Sequence, residues 1–275
     1  MLELKLSSRN LSLVAIFAAI YYVFSLISPY VPAIGLPDLV IRLEALMASV
    51  FGFVLGPYLG AVSAFLGAFV AWTLPPVAMN PLEAPFLLAP PINALIVGLI
   101  FYRRWKWAFA LFGLLIAAFL FLPPSQPITE YYYVSAAVLW DKAIALLLII
   151  PIIRFRQEFS NQKYLPMLFF FISFVGNQAD NMWGTDVFAV PFVYEVLYAP
   201  ALSPLLGTVA STYLDIVRFL FVVSPFIYPA IRLIQAVLAT IIAVPLMNTL
   251  RNTMWTIKER SIIDVETEAK GEADR

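Results

Sequence analysis

The sequence predicts an all-α, polytopic transmembrane helical bundle of about eight spans, and two observations carry that prediction. Hydrophobic residues make up 62% of the 275 and charged residues only 12%, against about 25% charged in a soluble domain. The apolar residues also fall into long uniform runs, with none of the ten-residue polar and apolar alternation that a barrel needs. Helices are the default for such runs, because lipid offers no partner to unpaired backbone groups.

A membrane helix takes about 20 mostly apolar residues. The runs are Leu11–Ile27, Leu39–Leu55, Pro57–Leu74, Phe86–Tyr102, Trp107–Leu122, Val134–Ile153, Pro166–Val190 and Ile227–Leu250. The first resembles a secretory leader, but it lacks a small-x-small cleavage site and many similar segments follow, so it reads as a span. Lys5, Arg9, Arg103, Arg104, Lys106, Arg154, Arg156, Lys163 and the basic residues of the tail fall on one side of an eight-span chain. That side is the cytoplasm by the excess of Lys and Arg, with both termini there. The opposite loops 28–38, 75–85 and 123–133 hold acids and no Lys or Arg. Ala201–Val223 is apolar enough to be a ninth span, which would put the basic tail outside. Asp215 and Arg218, at i and i+3, can pair on one helix face. The segment therefore reads as an outer-surface or re-entrant helix capping the bundle. Residues 1–250 form one transmembrane substrate-binding domain, and 251–275 a cytoplasmic tail, partly disordered.

Composition removes several functions. With no Cys and no His, there is no disulfide framework, thiol nucleophile or thiolate metal site, and the commonest metal ligand and general base is missing. No GxxxxGK[ST], GxGD, HExxH or GxSxG motif is present. The chain reads as a non-enzyme with no metal or cofactor and no nucleic-acid partner. Any ATPase that drives it is another chain.

Polar residues inside spans then carry the functional reading, since a charge at a membrane centre costs about 2.5–3.5 kcal/mol. Arg42 and Glu44 open the second span, either as an interfacial pair or on the floor of an outward-facing pocket. Asp141 and Lys142 sit mid-span and point about 100° apart, which predicts a separate structural partner for each. Asn177, Asp180, Asn181 and Gly184 fall at i, i+3, i+4 and i+7, one helix face. Such a stripe is expensive unless it lines a cavity, so Asn177, Asp180 and Asn181 are candidate substrate-binding residues. Trp183 belongs to the same stretch and can stack on a planar ligand. Arg232 and Gln235 are i and i+3 near the outer surface; Arg232 either snorkels to the interface or turns inward to meet Asp180 or an anionic ligand group. Tyr131, Tyr132, Tyr133, Trp72 and Tyr228 lie at predicted outer boundaries and read as an interfacial belt.

Ala15 and Ala19 form an AxxxA step, and Gly52, Gly56 and Gly60 surround a tight Gly56-Pro57 turn. With these, the stretch from SRNLSLVAIFAAIYY to FGFVLGPYLGAVSAFLGAFVAW resembles the start of energy-coupling-factor (ECF) transporter S components. FVGNQADNMWG and YPAIRLIQAVLATIIAVPLM resemble later helices of archaeal-type members. The resemblance implies a six-helix core plus extra helices here. It implies a multi-pass cell-membrane subunit that captures a vitamin or related micronutrient under an outer lid, here Pro29–Asp38. It further implies docking onto a membrane T subunit, through Ala15 and Ala19, and two ATPase subunits. The main alternative is an ion-coupled secondary transporter of a small polar metabolite, using Asp141, Lys142 and Asp180 as a relay. Its inverted halves are not evident. Thiamine-like, flavin-like and biotin-like ligands all fit the mixed polar and aromatic residues.

Overall fold

A computed structural model describes residues 7–27, 30–33, 36–75, 79–155 and 163–250, with backbone only for 30–33 and 36–42. The longer helices in chain order are α1 (Ser8–Ile27), α2 (Leu46–Thr73), α3 (Ala89–Phe101), α4 (Trp105–Phe119), α5 (Ile128–Arg154), α6 (Leu165–Phe188), α7 (Tyr213–Val223) and α8 (Ile227–Leu250). Five helical stretches are long and apolar enough to cross a membrane: Ser8–Ile27, Leu43–Thr73, Ala84–Phe101, Ile128–Arg154 and Ile227–Leu250. The 24-residue α6 is long enough but carries the polar stretch. The molecule is an all-α polytopic bundle with one small hairpin, strands β1 (Tyr30–Ala33) and β2 (Leu36–Arg42), paired antiparallel with Tyr30 opposite Arg42. The expected lid Pro29–Asp38 falls largely on this hairpin; residues 28–29 and 34–35 lie outside those described, as does the tail 251–275.

Helix α2 is two limbs, 46–55 and 57–73, folded back on each other at Gly56. Gly56 has φ 80°, which L side chains rarely adopt, and Pro57 begins the second limb with the φ its ring fixes. Limb packs on limb so closely that a Cβ on Gly60 would lie 2.8 Å from the Phe51 carbonyl oxygen. Helix α3 closes over this corner: a Cβ on Gly98 would sit 2.5 Å from Pro57 Cα. Gly98→Ala is therefore expected to cost about 1–3 kcal/mol by overpacking, read as a lower melting temperature in detergent.

The structure corrects the start of the second span. Leu36–Arg42 is extended and Leu43–Ala45 is a 3-10 turn, so the helix begins at Leu46 rather than Leu39. Pro37 favours extended or turn backbone, and Val40 and Ile41 favour strand. The first limb, about 15 Å long at 1.5 Å per residue, does not cross a bilayer alone. Ala201–Val223 is not a span either. It breaks into short turns, a bend at Gly207 (φ 75°) and the 11-residue α7.

The two ends of the bundle differ in charge. Arg103, Arg104, Lys106, Arg154 and Lys163 flank the turns at one end, where Tyr102 Oη donates to the Phe53 carbonyl across 3.0 Å. The other end gathers the hairpin, residues 74–75 and 79–88, the connection 120–127, and the cap 189–226. There Tyr198 Oη donates to the Leu82 carbonyl. Burial, with Glu83 adding to it, pushes the Tyr198 phenol well up, so it remains a proton donor at any physiological pH. The main core joins α1 to α6 and α8, and a second apolar cluster fills the cap around Tyr194, Tyr198, Ile216 and Val217.

Candidate functional site

Beneath the cap lies a cavity of about 240 Å³, a little under the usual size of a small-molecule site of about 300–1,000 Å³. Its lower part is polar. Asp180 and Asn181 enter from α6, Arg232 from α8, Lys142 from α5, and Glu44 from the turn before α2. Its upper part is aromatic, with Trp72, Phe86, Phe188, Phe221 and Tyr228 in the wall.

The ions are already paired. Arg232 Nη2 lies 3.0 Å from Asp180 Oδ1, and its Nη1 donates to Gln235 Oε1 at 2.8 Å. Lys142 Nζ lies 2.9 Å from Asp141 Oδ1 and donates to Oδ2 at 3.1 Å. This corrects the expectation of separate partners for Asp141 and Lys142. Although the two Cβ atoms diverge, the four-carbon lysine stem folds back far enough for its ammonium to reach the neighbouring carboxylate. Buried ions left unpaired are strongly destabilising; the Asp180–Arg232 pair ties α6 to α8, whereas Asp141 and Lys142 neutralise each other within α5. Some polar atoms remain unsatisfied on the α6 face: Asp180 Oδ2 and Asn181 Nδ2 are buried without a hydrogen-bond partner. Both residues line the cavity, where a ligand's polar groups would meet them.

Six of the residues singled out above lie elsewhere or outside view. Asn177 does not line the cavity: it sits one turn deeper, where its Oδ1 accepts from Asn93 Nδ2 at 2.8 Å, and Asn93 Oδ1 accepts from Ser49 Oγ at 2.8 Å. That chain ties α2, α3 and α6 together in the apolar core. Gln235 stands behind Arg232 and orients it. Trp183 packs against the main core and is not in the cavity wall. The side chain of Arg42 lies outside those described. Ala15 and Ala19 are exposed on α1 and do not line the cavity.

Sequence reasoning missed Lys142 as a lining residue, and with it Phe86, Thr185, Phe188 and Phe221. Trp72 and Tyr228, expected in an interfacial belt, also line the cavity, and Trp72 Nε1 donates to the Asn80 carbonyl at 2.7 Å. The cap lies over this end of the bundle, so Trp72 and Tyr228 meet the cavity beneath it.

The model of the ECF-type riboflavin transporter S component family matches residues 5–149, slightly more than half of the chain. The chain belongs to this family of ECF S components. No curated protein and no solved structure matches it. The S component is a multi-pass cell-membrane protein and, by family, a substrate-specific transport subunit rather than an enzyme. The match runs from α1 almost to the end of α5. It takes in Glu44, Trp72, Phe86 and Lys142, while Asp180, Asn181, Arg232 and the whole cap lie beyond it.

Proposed function

We propose that this S component captures riboflavin at the outer face of the cell membrane and passes it inward through an ECF T subunit driven by two ATPase subunits. The outer face is the capped end, since the basic residues cluster at the other. The observation that carries the reading is the cavity itself, set inside a membrane bundle, with aromatic walls above a floor of paired ions. Riboflavin has the matching halves. Its flat tricyclic ring suits the aromatic upper wall, and its uncharged polyol suits Asp180 and Asn181, whose buried atoms lack partners.

The pairing also selects against phosphate. Among the described residues, the two cations that line the cavity are each bound to a carboxylate, so a phosphorylated flavin would bring two negative charges to described cations that are already paired. Flavin mononucleotide is expected to bind on the order of 100-fold more weakly than riboflavin, the roughly 3 kcal/mol that an unpaired buried charge readily exceeds.

Gently purified protein should release riboflavin at near-equal stoichiometry, identified by its fluorescence and by mass spectrometry. Asp180→Ala protein should come out empty. Empty wild-type protein that also fails to quench added riboflavin would sink the flavin assignment.

A further inference from the structure

The roof of the cavity is made by a segment that the family match does not reach. Leu220, Phe221, Ser224 and Pro225, at the end of α7 and just after it, face the cavity from the capped end, whereas the match stops at residue 149. The Phe221 ring stands edge-on to Phe119 of α4 and Phe188 of α6, with centroids 5.6 and 6.0 Å apart. The roof therefore closes against two walls at once.

Arg218 makes most of the polar contacts that hold the roof down, and Trp140 Nε1 of α5 adds one by donating to the Pro225 carbonyl at 3.1 Å. Arg218 Nε donates to the Pro124 carbonyl at 3.2 Å, and Nη2 donates to those of Pro123 at 3.2 Å and Gln126 at 2.8 Å. Its Nη1 binds Asp215 Oδ1 at 3.0 Å. Its guanidinium carbon lies 3.4 Å from the centroid of the Tyr131 ring. All these partners except Asp215 belong to the connection between α4 and α5 or to the first turn of α5. Asp215 is itself set by Thr212, whose Oγ1 donates to Oδ2 at 2.7 Å and accepts from the Asp215 amide at 3.1 Å. That is a helix cap that fixes the carboxylate where the guanidinium needs it.

The rest of the cap is held differently. Tyr198 pins it to Leu82, and β2 lies against the turn Ala199–Leu202. The other face of α7 and the turn beyond it, with Phe219, Val222, Val223 and Phe226, is exposed, as in a helix seated in a membrane interface. On the inner face of α7, Ile216, Val217 and Leu220 join the small apolar cluster of the cap, and a segment held by that cluster and a few polar contacts opens more readily than the interlocked bundle below it.

We propose that α7 is a gate over the cavity and that Arg218 is its latch. Release of the guanidinium from the 123–126 carbonyls lifts Leu220, Phe221 and Ser224 away and lets the ligand enter or leave. The ligand's identity rests on the capture reading above, but the gate can be tested without any ligand.

Because the chain has no cysteine, one thiol reports alone. Ala71→Cys places it in the cavity wall, at a position only 5% exposed. Its rate of modification by a small methanethiosulfonate reagent measures opening. Adding Arg218→Ala should raise that rate roughly tenfold or more, as a shift toward the open population. If Arg218→Ala fails to fold, Tyr131→Leu, which removes only the ring beneath the guanidinium, should act in the same direction. Rates equal to the parent in every variant that folds would show a fixed roof and overturn the gate. A second arm uses Trp140→Cys with Phe226→Cys, whose native rings lie 5.6 Å apart between α5 and the turn after α7, joined by a short bifunctional maleimide after riboflavin is bound. Release of riboflavin should then slow by roughly tenfold or more, and unchanged release would overturn the gate while leaving capture intact. Wild-type protein that never binds riboflavin would end the capture reading alone, with the thiol rates still deciding the gate.

Discussion

Arg232→Met is expected to empty the cavity and destabilise the bundle together. The substitution removes one partner of a buried pair, leaving Asp180 at 3% exposure with its former contact gone. Such a loss typically costs about 3–5 kcal/mol, and a change of that size in the binding-competent fold lowers affinity by roughly 100-fold or more. The double variant Asp180→Asn with Arg232→Met separates the two effects. It leaves no lone charge, so most of the thermal stability should return, since a buried ion pair replaced as a unit is often neutral. Riboflavin quenching should not return, because both walls of the polar floor have changed. Melting curves in detergent with a riboflavin titration read both quantities on one preparation. If Arg232→Met alone leaves the melting temperature and the affinity unchanged, the pair is a peripheral contact and the polar floor must be placed elsewhere.

How far the sequence showed this site follows from the physics of each residue. The α6 stripe stood out because polar side chains in lipid are costly, and Asp180 and Asn181 do face the cavity. Periodicity alone gives a face without a depth. Asn177 shares that face one turn deeper, where the cavity has ended and Asn93 Nδ2 donates to its side-chain oxygen. The Gly56-Pro57 reversal was legible because few residues tolerate its backbone. The extended start before α2 was hidden by a composition equally apolar as strand or helix, and short apolar runs are ambiguous in this way. The Arg218 contacts were half legible. The pair with Asp215 follows from i, i+3 spacing and forms, but the three carbonyls lie more than ninety residues away. Only the fold brings them together. The aromatic wall was misread for a related reason, since Trp72 and Tyr228 sit where a belt would be and only the cap turns that boundary into an interior.

Ala15→Trp with Ala19→Trp is expected to abolish association with the T subunit while sparing riboflavin binding. Helix α1 has two unlike faces. Val14, Ala18, Tyr21 and Ser25 are buried against the bundle, whereas Ala15 and Ala19 are exposed, with Leu11, Ile16, Ile20 and Val23 around them. Small residues four apart leave a shallow trough between larger neighbours, into which another helix can pack closely in a bilayer. Two indoles would fill that trough. In the isolated S component they would project into lipid, which accepts them, so the melting temperature and the flavin affinity should hold. Against a partner helix they would force the backbones apart, and close packing is the main source of attraction there. Co-purification with a tagged T subunit should fall by roughly tenfold or more, the equivalent of about 1.4 kcal/mol or above, and ATP-driven riboflavin uptake should fall with it. Undiminished co-purification would place the T-subunit contact on another face of the bundle. Loss of riboflavin binding instead would mean that these alanines support the fold of α1 itself.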